Sequence, residues 1–91
     1  MIKYLLVEDE RFAYEEMKRM MEKLRPDYQL EAWATTVEQT VQFLKHHQVD
    51  LILLDIRLTD GNSFDVFEQI QVTTPVIFTT AYDEHAIRAF K

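Results

Sequence analysis

Four consecutive apolar residues lead directly into an acid where Leu51–Leu54 meets Asp55, and no other stretch constrains the fold as strongly. An unbroken apolar run of this length is typical of a strand buried on both faces, as in the middle of a parallel sheet. A turn signal, Asp60-Gly61, follows shortly afterwards. We therefore expect a central strand with a carboxylate at its carboxyl end, the edge where open α/β sheets bind ligands.

Strand and helix patterns alternate along the remainder of the chain. Apolar runs predict further strands at three places: Ile2–Val7, Tyr28–Ala34 and Val76–Phe78. Four helical patterns are expected to begin at Arg11, at the capping box Thr36-Val37-Glu38-Gln39, after Asn62 or Ser63, and at Asp83 or Glu84. The alternation predicts an α/β fold, a doubly wound parallel sheet with helices on both sides. If the first and third strands are neighbours, the strand order is the flavodoxin-like 2-1-3-4.

The same periodicities predict where individual side chains lie. The first helix, with Asp9 as its cap, is expected to bury an apolar stripe made of Ala13, Met17, Met20, Met21 and Leu24. In the second strand, Leu30 and Ala32 are expected to share one face, because side chains alternate along a strand. Trp33 is expected to pack against a neighbouring helix rather than to stack on a ligand.

Length, charge and cysteine content narrow the classes of partner. The 91 residues indicate one domain, and the net charge of −6 disfavours direct binding to nucleic acid or to an anionic membrane while it suits a site that binds a cation. The absence of cysteine excludes disulfides, thiolate chemistry and cysteine-ligated zinc. The N-terminal apolar run is too short for a signal peptide and no run approaches transmembrane length, so a cytoplasmic location is expected.

Acids and hydroxyl groups follow the predicted strands. Glu8 and Asp9 come after the first strand, Asp55 after the third, and Thr79 and Thr80 after the fourth. Neighbouring first and third strands would bring the three carboxylates together. Carboxylate oxygens select Mg²⁺, Mn²⁺ or Ca²⁺ over softer metals, and a partly open Mg²⁺ shell admits phosphate oxygens. The pattern favours phosphoryl transfer, with an acid as nucleophile or as metal ligand.

Three motifs in register resemble those of a known family. The segments LLVEDE, DLILLD and PVIFTTAY resemble, in this order and spacing, the receiver domain of two-component response regulators. The tail that begins at Phe78 is most similar to receivers attached to LytTR-type DNA-binding domains. The resemblance extends over residues 1–91.

The resemblance implies a role for each matching residue. Asp55 corresponds to the phosphoacceptor, which takes a phosphoryl group from a sensor histidine kinase with Mg²⁺ and switches an output, with transcription as the expected one. Asp9 corresponds to a direct Mg²⁺ ligand and Glu8 to an acid that acts on the metal through water. The backbone carbonyl of Arg57 corresponds to a further ligand, and its side chain to a position that tunes the phosphoryl lifetime. Such a domain is a switch that catalyses its own phosphorylation and dephosphorylation rather than a conventional enzyme.

Further positions agree with the family pattern or depart from it. Thr80 corresponds to the switch hydroxyl, Ala81 to the small residue that keeps access open, and Tyr82 to a second lifetime-tuning position. Thr59 stands where many members carry proline, and Gly61 comes earlier than their glycine. The fifth strand, led by a Lys-Pro pair, and the fifth helix of the family do not occur in this sequence, so residues 1–91 are expected to form a receiver that is incomplete at its C-terminus.

Two other classes of function stay open at this point. A Mg²⁺-dependent phosphatase or phosphotransferase also uses an acid nucleophile, but it usually has a second acid two residues later, where this chain has Arg57. A non-phosphorylated interaction module would keep the fold alone, and the acid cluster together with Thr80 argues against it. The partners expected are a sensor histidine kinase and a second copy of the chain, although part of the family's usual dimer face, which is built from its fourth helix, fifth strand and fifth helix, does not occur in this sequence.

Overall fold

The computed structural model describes residues 1–79, and within them strands and helices alternate as predicted, apart from an additional short hairpin after the third strand. In chain order the elements are β1 (Ile2–Val7), α1 (Arg11–Leu24), β2 (Tyr28–Ala34), α2 (Val37–His46), β3 (Leu51–Leu54), β4 (Arg57–Leu58), β5 (Gly61–Asn62), α3 (Phe64–Gln69) and β6 (Val76–Phe78). The helix predicted to begin at Asp83 or Glu84 lies outside the described residues. No helix within residues 1–79 is long and apolar enough to cross a membrane.

β1 and β3 are neighbours at the centre of the main sheet. Its four parallel strands lie in the order β2-β1-β3-β6, so the predicted order 2-1-3-4 is confirmed, with β6 as the fourth strand. Val7 of β1 pairs with Leu54 of β3, and Leu54 pairs in turn with Phe78 of β6. The carboxyl ends of these three strands therefore lie side by side.

Helices cover both faces of this sheet, which makes the fold doubly wound. On one face, residues of α2 and α3 pack over alternate strand residues, among them Leu5, Val7, Ile52 and Leu54. On the other face, α1 packs over Tyr4, Leu6 and Leu53. β3 is thus buried on both faces, which explains its unbroken apolar sequence.

A β-bulge in β2 changes the predicted alternation of side chains. Tyr4 pairs with Leu30 and Leu5 pairs with Ala32, so Glu31 is an extra residue without a counterpart in β1. Leu30 consequently packs on the α1 side of the sheet and Ala32 on the side of α2 and α3. The prediction that these two residues share a face is wrong, because a bulge shifts the alternation by one residue.

α1 buries a narrower stripe than its apolar residues predict. Tyr14, Met17 and Met21 pack against the sheet, whereas Met20 is 52% exposed and Leu24 is 59% exposed. The prediction that Met20 and Leu24 belong to the buried stripe is therefore wrong. The helix lies on a single sheet face, so only residues along one line of its surface reach the core.

The start of α2 is fixed by local hydrogen bonds beside the carboxyl end of β2. The predicted cap is confirmed, since Oγ1 of Thr36 accepts from the backbone N–H of Gln39 at 3.0 Å. The Gln39 side chain does not return to Thr36, as a capping box would require. Its Oε1 instead accepts from the backbone N–H and the hydroxyl of Thr35, at 2.8 and 2.9 Å.

A short hairpin follows β3, where the sequence predicted only a turn. β4 and β5 pair antiparallel across the turn Thr59-Asp60. Gly61 has a φ of +151°, which residues with a side chain rarely adopt, and a Cβ there would lie 3.0 Å from Oδ2 of Asp65. The turn at Asp60-Gly61 is confirmed, and its glycine is required by the backbone conformation and by the close approach of Asp65.

Candidate functional site

Three carboxylates meet at the carboxyl edge of the sheet. Backbone hydrogen bonds continue beyond the strands, since Glu8 N–H donates to the Ala34 carbonyl and Asp55 N–H to the Val7 carbonyl, each at 3.0 Å. These bonds hold the residues that follow β1 and β3 side by side. Oxygen atoms of Glu8, Asp9 and Asp55 all lie within 4.8 Å of one another, and Asp9 is the most exposed of the three.

The surroundings of Glu8 within this cluster shift its pKa. Burial raises the pKa of Glu8 from its ordinary value of 4.5 to about 7. The charge of Asp55 and hydrogen bonds with Asp55 and Asp9 also raise this pKa, whereas the backbone N–H of Glu10, 3.2 Å from Oε2, lowers it. Near neutral pH, Glu8 therefore holds a proton part of the time, because burial and the nearby charge of Asp55 both disfavour its ionised form.

Asp9 belongs to the acid cluster and does not cap α1. The N-cap residue of α1 is Glu10, and no side chain makes a cap hydrogen bond there. Oδ2 of Asp9 instead accepts from the hydroxyl of Thr59, at 3.3 Å, so the Asp9 carboxylate is contacted from the hairpin. The predicted cap is wrong because this carboxylate lies beside Glu8 and Asp55 rather than over the first turn of the helix.

Trp33 supports the backbone next to the acids. Its indole Nε1 donates to the Glu8 carbonyl at 2.6 Å, and its ring stacks on Tyr14 of α1 with centroids 3.8 Å apart and planes 7° apart. The prediction that Trp33 packs against a helix is confirmed. Its hydrogen bond to the site was not predicted, because β2 and the residues after β1 come together only through the strand pairing.

Ser63 forms two hydrogen bonds that hold the backbone at Asp55 and Ile56. Its backbone N–H donates to the Ile56 carbonyl at 2.7 Å, and its buried hydroxyl donates to the Asp55 carbonyl. Ser63 is the N-cap residue of α3, yet the bond near the helix start comes from Asn62, whose Oδ1 accepts from Phe64 N–H at 2.8 Å. The Ser63 side chain thus bonds to the backbone of Asp55 instead of capping the helix.

Asp60, at the tip of the hairpin, contacts the start of α2. Its Oδ1 accepts from Val37 N–H at 2.7 Å and its Oδ2 accepts from Glu38 N–H at 3.1 Å. Although desolvation opposes the shift, these backbone hydrogen bonds lower the pKa of Asp60 below its ordinary value. The carboxylate is therefore ionised at neutral pH.

The acid half of the predicted site is described, and the hydroxyl half is not. Glu8, Asp9 and Asp55 converge, and Arg57 begins β4 with its side chain exposed. Of the remaining predicted residues, Thr80, Ala81 and Tyr82 lie outside residues 1–79. Three contacts around the acids escaped sequence reasoning, those of Trp33, Thr59 and Ser63. No spacing pattern in the sequence predicts these contacts, because each contact joins elements that are distant in sequence.

The fold and the site together define a class of protein. A doubly wound parallel sheet that collects carboxylates at the carboxyl edge of its central strands is a flavodoxin-like domain suited to binding a cation. The family model of the response regulator receiver domain matches residues 4–91. The chain therefore belongs to the response regulator receiver family, as its motifs implied.

Characterised relatives agree with this membership. The chain is 32% identical over 94 residues to the sensory transduction protein LytT of Bacillus anthracis, and the match covers 100% of the chain and 38% of LytT. It is 35% identical over 94 residues to LytR of Streptococcus agalactiae, covering 99% of the chain and 38% of LytR. The non-phosphorylated HemR receiver domain of Leptospira biflexa has a TM-score of 0.75 at 33% identity, covering 99% of this chain and 74% of the other. The chain thus spans 38% of the length of the sensory transduction proteins that it resembles.

Stability without metal should fall as the pH rises through the titration of Glu8. Because the pKa of Glu8 is raised in the folded state, proton binding to Glu8 stabilises the fold. This stabilisation is complete below pH 4.5, the ordinary pKa, and is lost as the pH rises through about 7. In the presence of a chelator, we expect the free energy of unfolding to decline across this range, as measured by denaturant melts at several pH values.

Substitutions test whether Glu8, rather than another acid of the chain, causes the decline in stability with pH. Glu8→Gln should flatten the decline, whereas Glu16→Gln, which removes an exposed acid from α1, should leave it intact. An unchanged slope in Glu8→Gln would show that another group is responsible.

Proposed function

We propose that this receiver domain accepts a phosphoryl group on Asp55 from a phosphohistidine of a sensor histidine kinase. The observation that carries the proposal is the convergence of Glu8, Asp9 and Asp55 at the carboxyl edge of the sheet, with oxygens within 4.8 Å. Asp55 directly follows the central strand, and Ser63 fixes its carbonyl, so the backbone of the acceptor is held in place. A fixed carboxylate at an open sheet edge suits attack on a phosphorus atom that approaches from solvent.

The residues present fit Mg²⁺. The donors are carboxylate oxygens, which hard divalent cations prefer. The pKa of Glu8 is raised mainly by burial and also by the charge of Asp55, and a cation would neutralise that charge. We propose that Asp9 and Asp55 hold the ion directly, that Glu8 acts through water, and that the backbone carbonyl of Arg57 completes the protein's share. When bound, Mg²⁺ neutralises charge on the phosphoryl oxygens.

The transfer step requires one bond to form and one to break. A carboxylate oxygen of Asp55 attacks phosphorus while the P–N bond of the phosphohistidine breaks. The electron pair of that bond stays on the imidazole, which leaves neutral because its other ring nitrogen carries a proton. The product is an acyl phosphate on Asp55. In dephosphorylation, water attacks phosphorus, the P–O bond to Asp55 breaks, and the carboxylate and inorganic phosphate are restored.

Membership in the family supports further assignments. We propose that Thr80 is the switch hydroxyl that binds a phosphoryl oxygen, that Ala81 keeps the acceptor accessible, and that Arg57 and Tyr82 tune the phosphoryl lifetime. The similarity to LytT and LytR proteins supports an output in transcription through a further domain. We also propose that the chain associates with a second copy of itself.

Phosphorylation should occur on Asp55 and require a divalent cation. We expect the full chain, incubated with a small acyl phosphate donor and Mg²⁺, to gain the mass of one phosphoryl group in intact-mass spectrometry. Asp55→Asn, which keeps the shape of the side chain, should gain none, and a chelator should prevent the gain in the wild type. Modification of Asp55→Asn to the wild-type extent would contradict the assignment.

Mg²⁺ should stabilise the fold through Asp9. At a concentration about ten times the dissociation constant, mass action contributes about 1.4 kcal/mol, or a rise of roughly 5–10 °C in the melting temperature of a domain this size. Asp9→Ala should abolish this response and be more stable than the wild type without metal, because one repulsive charge is gone. A Mg²⁺ response of normal size in Asp9→Ala would place the cation elsewhere.

A further inference from the structure

The hairpin after Asp55 is attached to α2 by one carboxylate. Asp60 accepts from the first two backbone N–H groups of α2, those of Val37 and Glu38, at 2.7 and 3.1 Å. α2 already has its own cap in Thr36, which accepts from Gln39 N–H at 3.0 Å. The contact of Asp60 is therefore an addition from a distant part of the chain, and it ties the hairpin tip to a helix that is packed in the core.

The neighbouring tip residue touches the acid cluster. Thr59 donates its hydroxyl to Oδ2 of Asp9 at 3.3 Å, while Asp60 beside it is bonded to α2. This contact is longer than a usual O–H···O hydrogen bond, and hydrogen bonds at functional sites often tighten when a ligand binds. The two adjacent residues thus connect the start of α2 with a carboxylate of the proposed metal site.

The backbone of the hairpin leaves little freedom to its tip. Gly61 has a φ of +151°, and the space that a Cβ would occupy is closed by Asp65 at 3.0 Å. Leu58, on the other strand of the hairpin, is 7% exposed and packs in the core with Val37. Both strands of the hairpin are therefore held, and the bonds of Asp60 to α2 add a further attachment directly beside Thr59.

We propose that Asp60 is a positioning residue for the cation site: by holding the hairpin tip on α2, it keeps Thr59 against Asp9 and so orients that carboxylate for Mg²⁺. The inference rests on the proposed function, since it assigns a supporting contact to the same site. Hydrogen bonds that orient a ligating carboxylate contribute to metal affinity, and their loss typically weakens binding about 10- to 100-fold.

Mg²⁺ affinity of substituted chains tests the role of Asp60. The indole of Trp33, the one tryptophan of the chain, bonds to the Glu8 carbonyl at 2.6 Å, so its fluorescence reports on Mg²⁺ binding next to the acids. The shift in melting temperature with Mg²⁺ gives a second, independent measure. We expect Asp60→Ala to raise the Mg²⁺ dissociation constant about tenfold and Asp60→Asn, which keeps one acceptor oxygen, to raise it less.

Two control variants separate positioning from simpler effects. Thr36→Ala removes the local cap of α2 and should lower the melting temperature without changing Mg²⁺ affinity. Glu68→Gln removes a negative charge from the same cleft between α2 and α3 and should change the affinity only slightly. Thr59→Val should weaken Mg²⁺ binding, and Asp60→Ala should add little to it, because both act through Asp9.

The outcomes distinguish this inference from the proposed function. The positioning role would be overturned if Asp60→Ala weakened Mg²⁺ binding no more than Glu68→Gln does. It would also be overturned if Thr36→Ala weakened Mg²⁺ binding as much as Asp60→Ala does. In either case the phosphoacceptor proposal would stand. Independent, additive effects of Thr59→Val and Asp60→Ala would also overturn it. Absence of Mg²⁺ binding in the folded wild type would overturn the proposed function, and the positioning role with it.

Discussion

The parallel pairing of β1 with β3 is the constraint on which the site depends. Val7 lies opposite Leu54, so the residues that follow, Glu8 and Asp55, have to emerge next to each other. Both strands are buried, and their apolar side chains pack between helices on the two faces of the sheet. Hydrophobic burial thereby holds together carboxylates that would separate in a free peptide.

The closeness of the three carboxylates destabilises the fold and at the same time suits the site to binding a cation. The pKa of Glu8 rises to about 7 because burial and the neighbouring acids oppose its ionisation. A divalent cation or a proton would relieve the repulsion, so the arrangement that weakens the fold also suits the binding of a cation. Acids whose pKa is perturbed by burial and by a neighbouring charge are candidates for functional residues.

Contacts from distant elements give the acid cluster its shape. Trp33 bonds to the backbone of Glu8, Ser63 bonds to the backbone of Asp55, and Thr59 reaches the side chain of Asp9. Each contact comes from a different element, respectively β2, the start of α3 and the hairpin tip. The geometry of the cluster therefore depends on how these elements pack together.

The four strands of the main sheet, the first three helices and the acid cluster were predictable because they follow from local patterns. The apolar run Leu51–Leu54 predicts a central strand, and a central parallel strand places its carboxyl end at the ligand-binding edge. The bulge at Glu31 was not predictable, because the pattern of β2 fits an unbroken strand equally well and only pairing with β1 reveals the extra residue. The bond from Asp60 to α2 was hidden for a similar reason, since the partners are 22 and 23 positions apart and the donors are backbone groups.

Chemical trapping of the phosphorylated domain tests the central claim most directly. Borohydride reduces an aspartyl phosphate to homoserine, so peptide mapping after treatment of the full chain with an acyl phosphate donor, Mg²⁺ and borohydride locates the acceptor. The account predicts homoserine at position 55 alone, and none when Mg²⁺ is chelated. Homoserine at position 9, or a folded and Mg²⁺-bound domain without any trapped residue, would contradict it.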